Sequence, residues 1–219
     1  MDPANVDVDT LWSVIGWVAA AAITGLAARR ADWTRVLLPA ASHAHLGTVF
    51  LLVVLWCARA AVGGVSLHFL GVGGLCLSAG PALALVGGAL VVAITTALRA
   101  SPVADAGLVF VTLVAIPVAV QWGFLALVRR LLPRNPFAWF FGVAFLGAAA
   151  SFFAGSLAGA AVAHAAAQAP AVGWSEFALI ALMLALGEGT LTGMLLTLAV
   201  VYRPAWVATF DDARDIELR

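Results

Sequence analysis

Histidine is the residue type in this sequence best suited to binding a metal, and the chain has four of them. His68 lies in the glycine-rich segment SLHFLGVGGLCLSAGP, and His164 lies near the end of a later apolar stretch. Neutral imidazole is a common ligand of divalent transition metals. Two interpretations are open: His68 and His164 bind a metal or small solute together with aspartates, or each is a single histidine hydrogen-bonded at an interface. The candidate aspartates are Asp2, Asp7, Asp9 and Asp105.

The other two histidines, His43 and His45, form an H-x-H pattern at the start of another apolar stretch. On a helix these side chains point about 200° apart, because each residue turns the helix by about 100°. They could bind one ion together only from an extended segment. We therefore interpret them as polar groups at a membrane interface.

Glu188 is an ionisable residue inside the long apolar stretch Phe177–Tyr202, in the motif GEGTLTG. Its position in that stretch places it near the middle of a membrane, where a charge costs several kcal/mol unless it is paired, protonated or hydrated. Such a residue marks a functional site by default. The alternative is a protonated carboxyl group bonded to a neighbouring carbonyl or hydroxyl. We take His68, Glu188 and His164 as the candidate substrate-binding residues, with His68 as the metal ligand.

The composition determines which elements must position these side chains. The chain has 219 residues, of which 64% are hydrophobic and 10% charged, and its mean hydropathy is +1.08. Soluble domains are about half apolar and about one quarter charged. The sequence therefore predicts an all-α, polytopic integral membrane bundle of about seven helices, in a single domain over residues 1–219. A net charge of zero gives no basic face for nucleic acid.

Catalytic signatures are missing from the sequence. It contains no nucleophile elbow, phosphate-binding loop, H-E-x-x-H motif or paired catalytic carboxylates. The prediction is a protein that is not an enzyme, and any energy for transport must come from a partner or a gradient.

Six stretches are long enough to cross about 30 Å of hydrocarbon, and the segment around His68 is a shorter seventh candidate. The short segment, Leu67–Ala79, would reach only about 20 Å as a helix. The clear stretches are Leu11–Ala28, Leu46–Val62, Pro81–Leu98, Gly107–Val128, Phe137–Ala161 and Phe177–Tyr202.

Arginine placement decides whether the short segment crosses, because positive residues near span ends favour the cytoplasmic side. Three arginine clusters share that side only if an even number of crossings separates the first cluster from the second. Leu67–Ala79 must then cross, which puts the N-terminus outside, the C-terminus inside and His68 beneath an outward-facing cavity. The clusters are Arg29, Arg30 and Arg35; Arg129, Arg130 and Arg134; and Arg203, Arg214 and Arg219.

Over roughly residues 40 to 215 the chain resembles the CbiM/NikM group. The resemblance lies in the segment SLHFLGVGGLCLSAGP, the GEGTLTG motif and the ending VVYRPAWVATFDD. These proteins are the substrate-binding membrane components of energy-coupling-factor transporters for cobalt and nickel, and the ending resembles a little-characterised bacterial branch. The resemblance implies seven spans in the bacterial inner (cytoplasmic) membrane and a permease that works with a transmembrane coupling subunit and ATPases. It also implies a divalent metal, cobalt or nickel, as substrate rather than as a resident cofactor.

The N-terminus departs from the pattern of the metal-binding members of that group. Those members carry a histidine directly after the initiator methionine, whereas this chain begins Met1-Asp2-Pro3, and proline has no amide hydrogen. Only His68 carries over as a ligand. An accessory or assembly protein for a metalloenzyme or respiratory complex, on the same fold, is therefore the alternative function. A haem protein is a further option, but His43 and His68 fall at opposite faces.

Overall fold

The apolar stretches form long helices in the computed structural model, which describes residues 10–58, 60–62, 65–99, 101–165, 173–211 and 215. Within these residues, six helices are long and apolar enough to cross a membrane, by length and composition. In chain order the helices are α1 (Thr10–Arg30), α2 (Trp33–Leu37), α3 (Pro39–Cys57), α4 (Val72–Ala79), α5 (Pro81–Leu98), α6 (Val103–Leu131), α7 (Ala138–Ala165) and α8 (Trp174–Tyr202). The polytopic helical membrane bundle predicted from the sequence is confirmed.

Two of the long helices contain wider, π-helical turns. In α6 a 3-10 turn (Val103–Asp105) leads into the helix, and a π segment (Val111–Ala115) ends just before Pro117. Proline cannot donate the next helical hydrogen bond, so a local change of winding is expected at such a position. The first part of α7, Ala138–Gly147, is also π-helical.

The second predicted span differs from the structure. It was expected to run over Leu46–Val62, but α3 begins at Pro39 and ends at Cys57. Ala58 is extended, and strand β1 (Ala60–Val62) then pairs antiparallel with strand β2 (Val65–Leu67). Backbone pairing between these strands replaces the last turn of the predicted helix.

The short segment around α4 crosses between two parallel helices. Near the start of α3, His45 packs against Gly87, where an added Cβ would lie 3.0 Å from the imidazole Cε1. Near its end, Trp56 lines a small cavity together with Thr95 and Arg99, at the end of α5. Because α3 and α5 run in the same direction, the chain between them must return across the bundle. The chain returns across the bundle at this segment, in the direction the sequence predicts, although only eight residues of it, about 12 Å, are helical.

The helix directions bring the arginine clusters to one end of the bundle, which we call the arginine end. Trp17 of α1 donates its indole N–H to Val103 O (3.1 Å) at the start of α6, so both helices start together. Their ends carry Arg29 and Arg129. Arg129 also donates to Thr209 O, beyond the end of α8.

We predict that the arginine end is cytoplasmic. Single cysteines placed at Arg99 and Arg130, in a background without Cys57 and Cys76, should be labelled from opposite faces of the intact membrane by an impermeant maleimide. Position 99 should react from outside and position 130 only after permeabilisation, because positive residues are retained inside. Labelling of both positions from one side would contradict the return crossing at α4.

Candidate functional site

A short non-helical loop, residues 68–71, leads from the β-hairpin into α4 and carries His68. Trp56 anchors it from α3: its indole N–H donates to Leu70 O at 2.9 Å. The half-buried imidazole of His68 packs edge-on against the Trp56 ring, with centroids 5.3 Å apart at an angle of 74°. These contacts fix the loop beside the end of α3.

Glu188 holds the same loop from α8. One carboxylate oxygen accepts a hydrogen bond from the Leu70 N–H at 3.0 Å, and the other accepts from the Gly71 N–H. The side chain is only 3% exposed. The partners differ from those of the predicted alternative, a protonated carboxyl bonded to a carbonyl or hydroxyl, because both oxygens accept from backbone N–H groups.

Gly71 is the point where the loop turns into α4. Its φ is +64°, in the left-handed region, and it occupies the N-cap position of the helix. The Leu52 side chain fills the space where a Cβ would stand. Glycine adopts this conformation without the strain that a Cβ would add. Glycine at position 71 therefore allows the Leu70 and Gly71 N–H groups both to face Glu188.

The other end of α4 is capped by the chain beyond α8. The Thr209 hydroxyl donates to Leu77 O at 2.8 Å, and the Ala208 N–H donates to Ser78 O at 2.9 Å. Arg129 secures this segment through an ion pair with Asp215, with Nη2 3.1 Å from Oδ2. The sequence alone does not predict this role, although its ending VVYRPAWVATFDD is part of the family resemblance.

His164 is not brought together with Glu188. It is exposed at the end of α7, and its ring lies 5.5 Å from that of Trp174 at the start of α8. Glu188 is 14 residues further along α8, about 21 Å away along the helix axis. Because α8 starts beside His164 and ends at Tyr202, next to Arg203, His164 sits at the end opposite the arginine end.

The H-x-H pair is helical and its members diverge, in agreement with the interpretation that they do not chelate together. His45 contacts Gly87 of α5, whereas His43 faces a groove between α3 and α8. Trp56, the neighbour of His68, is 13 residues beyond His43 on α3, or about 20 Å. One haem iron could not be bound by both His43 and His68.

Metal-binding side chains do not cluster in the part of the chain that the structure describes. No group of three or more His, Cys, Asp or Glu residues there could hold an ion. Asp2, Asp7 and Asp9 lie outside the described residues, and Asp105 is 3% exposed at the start of α6. A three-ligand ion site at His68 would therefore need ligands from the main chain, water or undescribed residues.

A groove of about 620 Å³ separates α3 from α8 on the arginine side of the loop. Phe69 and Glu188 line its inner part, and Arg203 and Trp206 line its outer part. His68 does not line it. The loop therefore meets the groove through Phe69 and Gly71, beside Glu188, and His68 lies outside the groove.

Comparisons with known proteins identify the fold and the family. No curated protein sequence matches the chain. Among solved structures, a truncated transition metal transporter is similar, with a TM-score of 0.66 and 16% sequence identity over 89% of this chain and 96% of that one. That likeness shows the fold. The sequence model of the cobalt uptake substrate-specific transmembrane region, CbiM, matches residues 7–206. Since this match covers most of the chain, the protein belongs to the CbiM family.

Proposed function

We propose that this protein is the substrate-binding membrane component of a cobalt or nickel uptake transporter. The observation that carries the proposal is the loop at residues 68–71, which places a histidine at the head of a short crossing and is held there by a buried carboxylate. Membership of the CbiM family supports a transition metal as the substrate. The ion would bind from the outer face, near the end opposite the arginine end.

In this proposal His68 is the side-chain ligand and Glu188 is a positioning residue. Both Glu188 oxygens are occupied by the Leu70 and Gly71 N–H groups, so the carboxylate acts on the ion by fixing the loop. His164 is near the same end of the bundle, and a substrate contact there would occur at the entrance. Trp56 limits the directions available to the His68 ring.

Transport would require partners, because the sequence has no nucleotide-binding loop of its own. An energy-coupling transmembrane subunit and ATPases are the partners we propose, in the inner membrane of a bacterium. The arginine end is the face at which cytoplasmic ATPases would act.

Substituting His68 tests the proposal. We expect His68→Ala to weaken Co²⁺ and Ni²⁺ binding by the purified full-length protein at least tenfold, since an imidazole ligand is lost. His68→Phe should weaken binding equally while keeping the aromatic contact with Trp56, and its melting temperature should stay close to that of the wild type. Isothermal titration with each metal ion measures the affinity.

His43→Ala, near the arginine end, is the matched control and should leave binding unchanged. Metal binding of wild-type affinity in both His68 variants would contradict the ligand assignment.

The alternative function is an accessory or assembly protein on the same fold. It is favoured by the absence of a three-ligand cluster among the described residues. Purification in mild detergent separates the two. A transport component should bring a coupling subunit and ATPases with it, whereas an accessory protein should bring a metalloenzyme or respiratory subunit and bind neither Co²⁺ nor Ni²⁺.

A further inference from the structure

The groove between α3 and α8 is one leaflet deep. Along α8 it extends from Glu188 to Tyr202, which is 14 residues or about 21 Å. A bilayer including its headgroups is about 40–45 Å thick, so each leaflet occupies about half of that. Phe69 and Glu188 close the inner end of the groove near the middle of the membrane. An occupant therefore enters from the arginine end and stops at the midplane.

The groove does not run far enough for a transmembrane helix. It ends at Phe69 and Glu188 near the midplane, about 21 Å along α8 from Tyr202, whereas a transmembrane helix spans both leaflets. A flexible hydrocarbon chain from one leaflet fits this depth.

The walls of the groove are apolar along most of its length. Leucine side chains from both helices line it, and Gly74 of α4 contributes to its floor. Two of these leucines, Leu195 and Leu198, are more than half exposed, because α3 and α8 leave the groove between them open. The wall residues are Leu51, Leu55, Leu191, Leu195 and Leu198.

The outer end of the groove has the chemistry of a lipid headgroup site. Arg203 is exposed there, and its guanidinium makes no ion pair with any residue in the described part of the chain. His43, Tyr202 and Trp206 lie around it. Tyrosine and tryptophan favour the headgroup level, and a guanidinium binds phosphate oxygens in a bidentate manner.

We propose that this groove binds one phospholipid with an anionic headgroup, taken from the leaflet at the arginine end. The phosphate would bind Arg203, and an acyl chain would lie between α3 and α8 with its end near Phe69. The bound chain would complete the wall that faces Glu188. This site is separate from the proposed metal site and does not depend on it.

Native mass spectrometry of the full-length protein tests the site. With equal amounts of phosphatidylglycerol and phosphatidylcholine, we expect one phosphatidylglycerol to be retained. Ala199→Phe places a ring in the groove and should reduce retention at least fivefold, whereas Val201→Phe, on the exposed face of α8, should not. Arg203→Gln should remove the preference for phosphatidylglycerol, whereas Arg130→Gln, an exposed arginine outside the groove, should keep it.

Two results would overturn the proposal. One is retention at the wild-type level in a folded Ala199→Phe variant. The other is equal retention of the two lipids by the wild type, with no effect of Arg203→Gln, which would indicate nonspecific filling of the groove. If Ala199→Phe does not fold, the Leu195→Trp variant, which also places a ring in the groove, and the competition between the two lipids test the site instead. Displacement of the lipid by a co-purified membrane subunit that protects the groove would assign it to a protein partner instead.

Discussion

Glu188→Lys is expected to abolish accumulation of the protein in the membrane. The substitution puts an unpaired cation near the midplane, which costs about 2.5–3.5 kcal/mol on insertion scales. It also sets an ammonium donor against the Leu70 and Gly71 N–H groups, which lose both of their acceptors. Each unsatisfied buried donor costs about 1–3 kcal/mol. Together these terms approach the whole stability of a typical domain, about 5–15 kcal/mol.

Glu188→Gln should fold but function poorly. The amide keeps one acceptor oxygen for the loop, while its NH₂ group opposes the other backbone donor. We expect a lower melting temperature and weaker metal binding, since the loop carrying His68 loses one of its two bonds to α8. Fluorescence size-exclusion chromatography of a tagged protein reports accumulation, and titration with Ni²⁺ reports binding.

Glu176 provides the matched control for both variants. It is an exposed glutamate in the first turn of the same helix, so Glu176→Lys and Glu176→Gln should accumulate normally. Accumulation of Glu188→Lys at the wild-type level would refute the buried hydrogen bonds. Unchanged metal binding and transport in Glu188→Gln would limit Glu188 to a role in stability.

Gly71→Ala is expected to destabilise the loop and weaken metal binding. A residue with a Cβ pays about 1–2 kcal/mol to adopt the left-handed conformation seen at φ +64°. The new methyl group would also overlap the Leu52 side chain. The loop must shift to relieve both effects, which moves the Gly71 N–H away from Glu188. We expect a loss of roughly 2–4 kcal/mol in the free energy of unfolding, visible as a lower melting temperature.

Gly74→Ala is the control for this change. Gly74 lies within α4, and an added Cβ there would meet only Thr192 Cγ2, at an ordinary 3.5 Å. Alanine also favours a helix over glycine by about 1 kcal/mol, so stability should be unchanged or higher. In the double variant Leu52→Ala/Gly71→Ala, part of the loss should be recovered because the overlap is removed. Equal stability of Gly71→Ala and Gly74→Ala would show that the loop is not under this constraint.

The helical elements and their relative directions could be predicted, because they depend on local sequence and on the number of apolar stretches between the arginine clusters. α5 matches the predicted span Pro81–Leu98 at both ends, since Gly80-Pro81 sets its start. The short crossing followed from parity between arginine clusters, without any knowledge of packing. The end of α3 was missed because an alanine- and valine-rich segment such as Ala60–Val62 is compatible with helix and strand, and pairing with Val65–Leu67 decides between them.

The candidate site could be predicted only as a set of residue types. The sequence by itself determined a membrane bundle, one histidine at the head of a short crossing and one carboxylate at membrane depth. These features follow from composition and from the cost of burying each residue, which do not depend on how the helices pack. Only the tertiary structure decided that Glu188 bonds to Leu70 and Gly71, more than 100 positions earlier, and that Thr209 caps α4 at Leu77. Such partners are chosen by how helices pack, since a buried polar group takes whichever donor or acceptor the fold brings within reach.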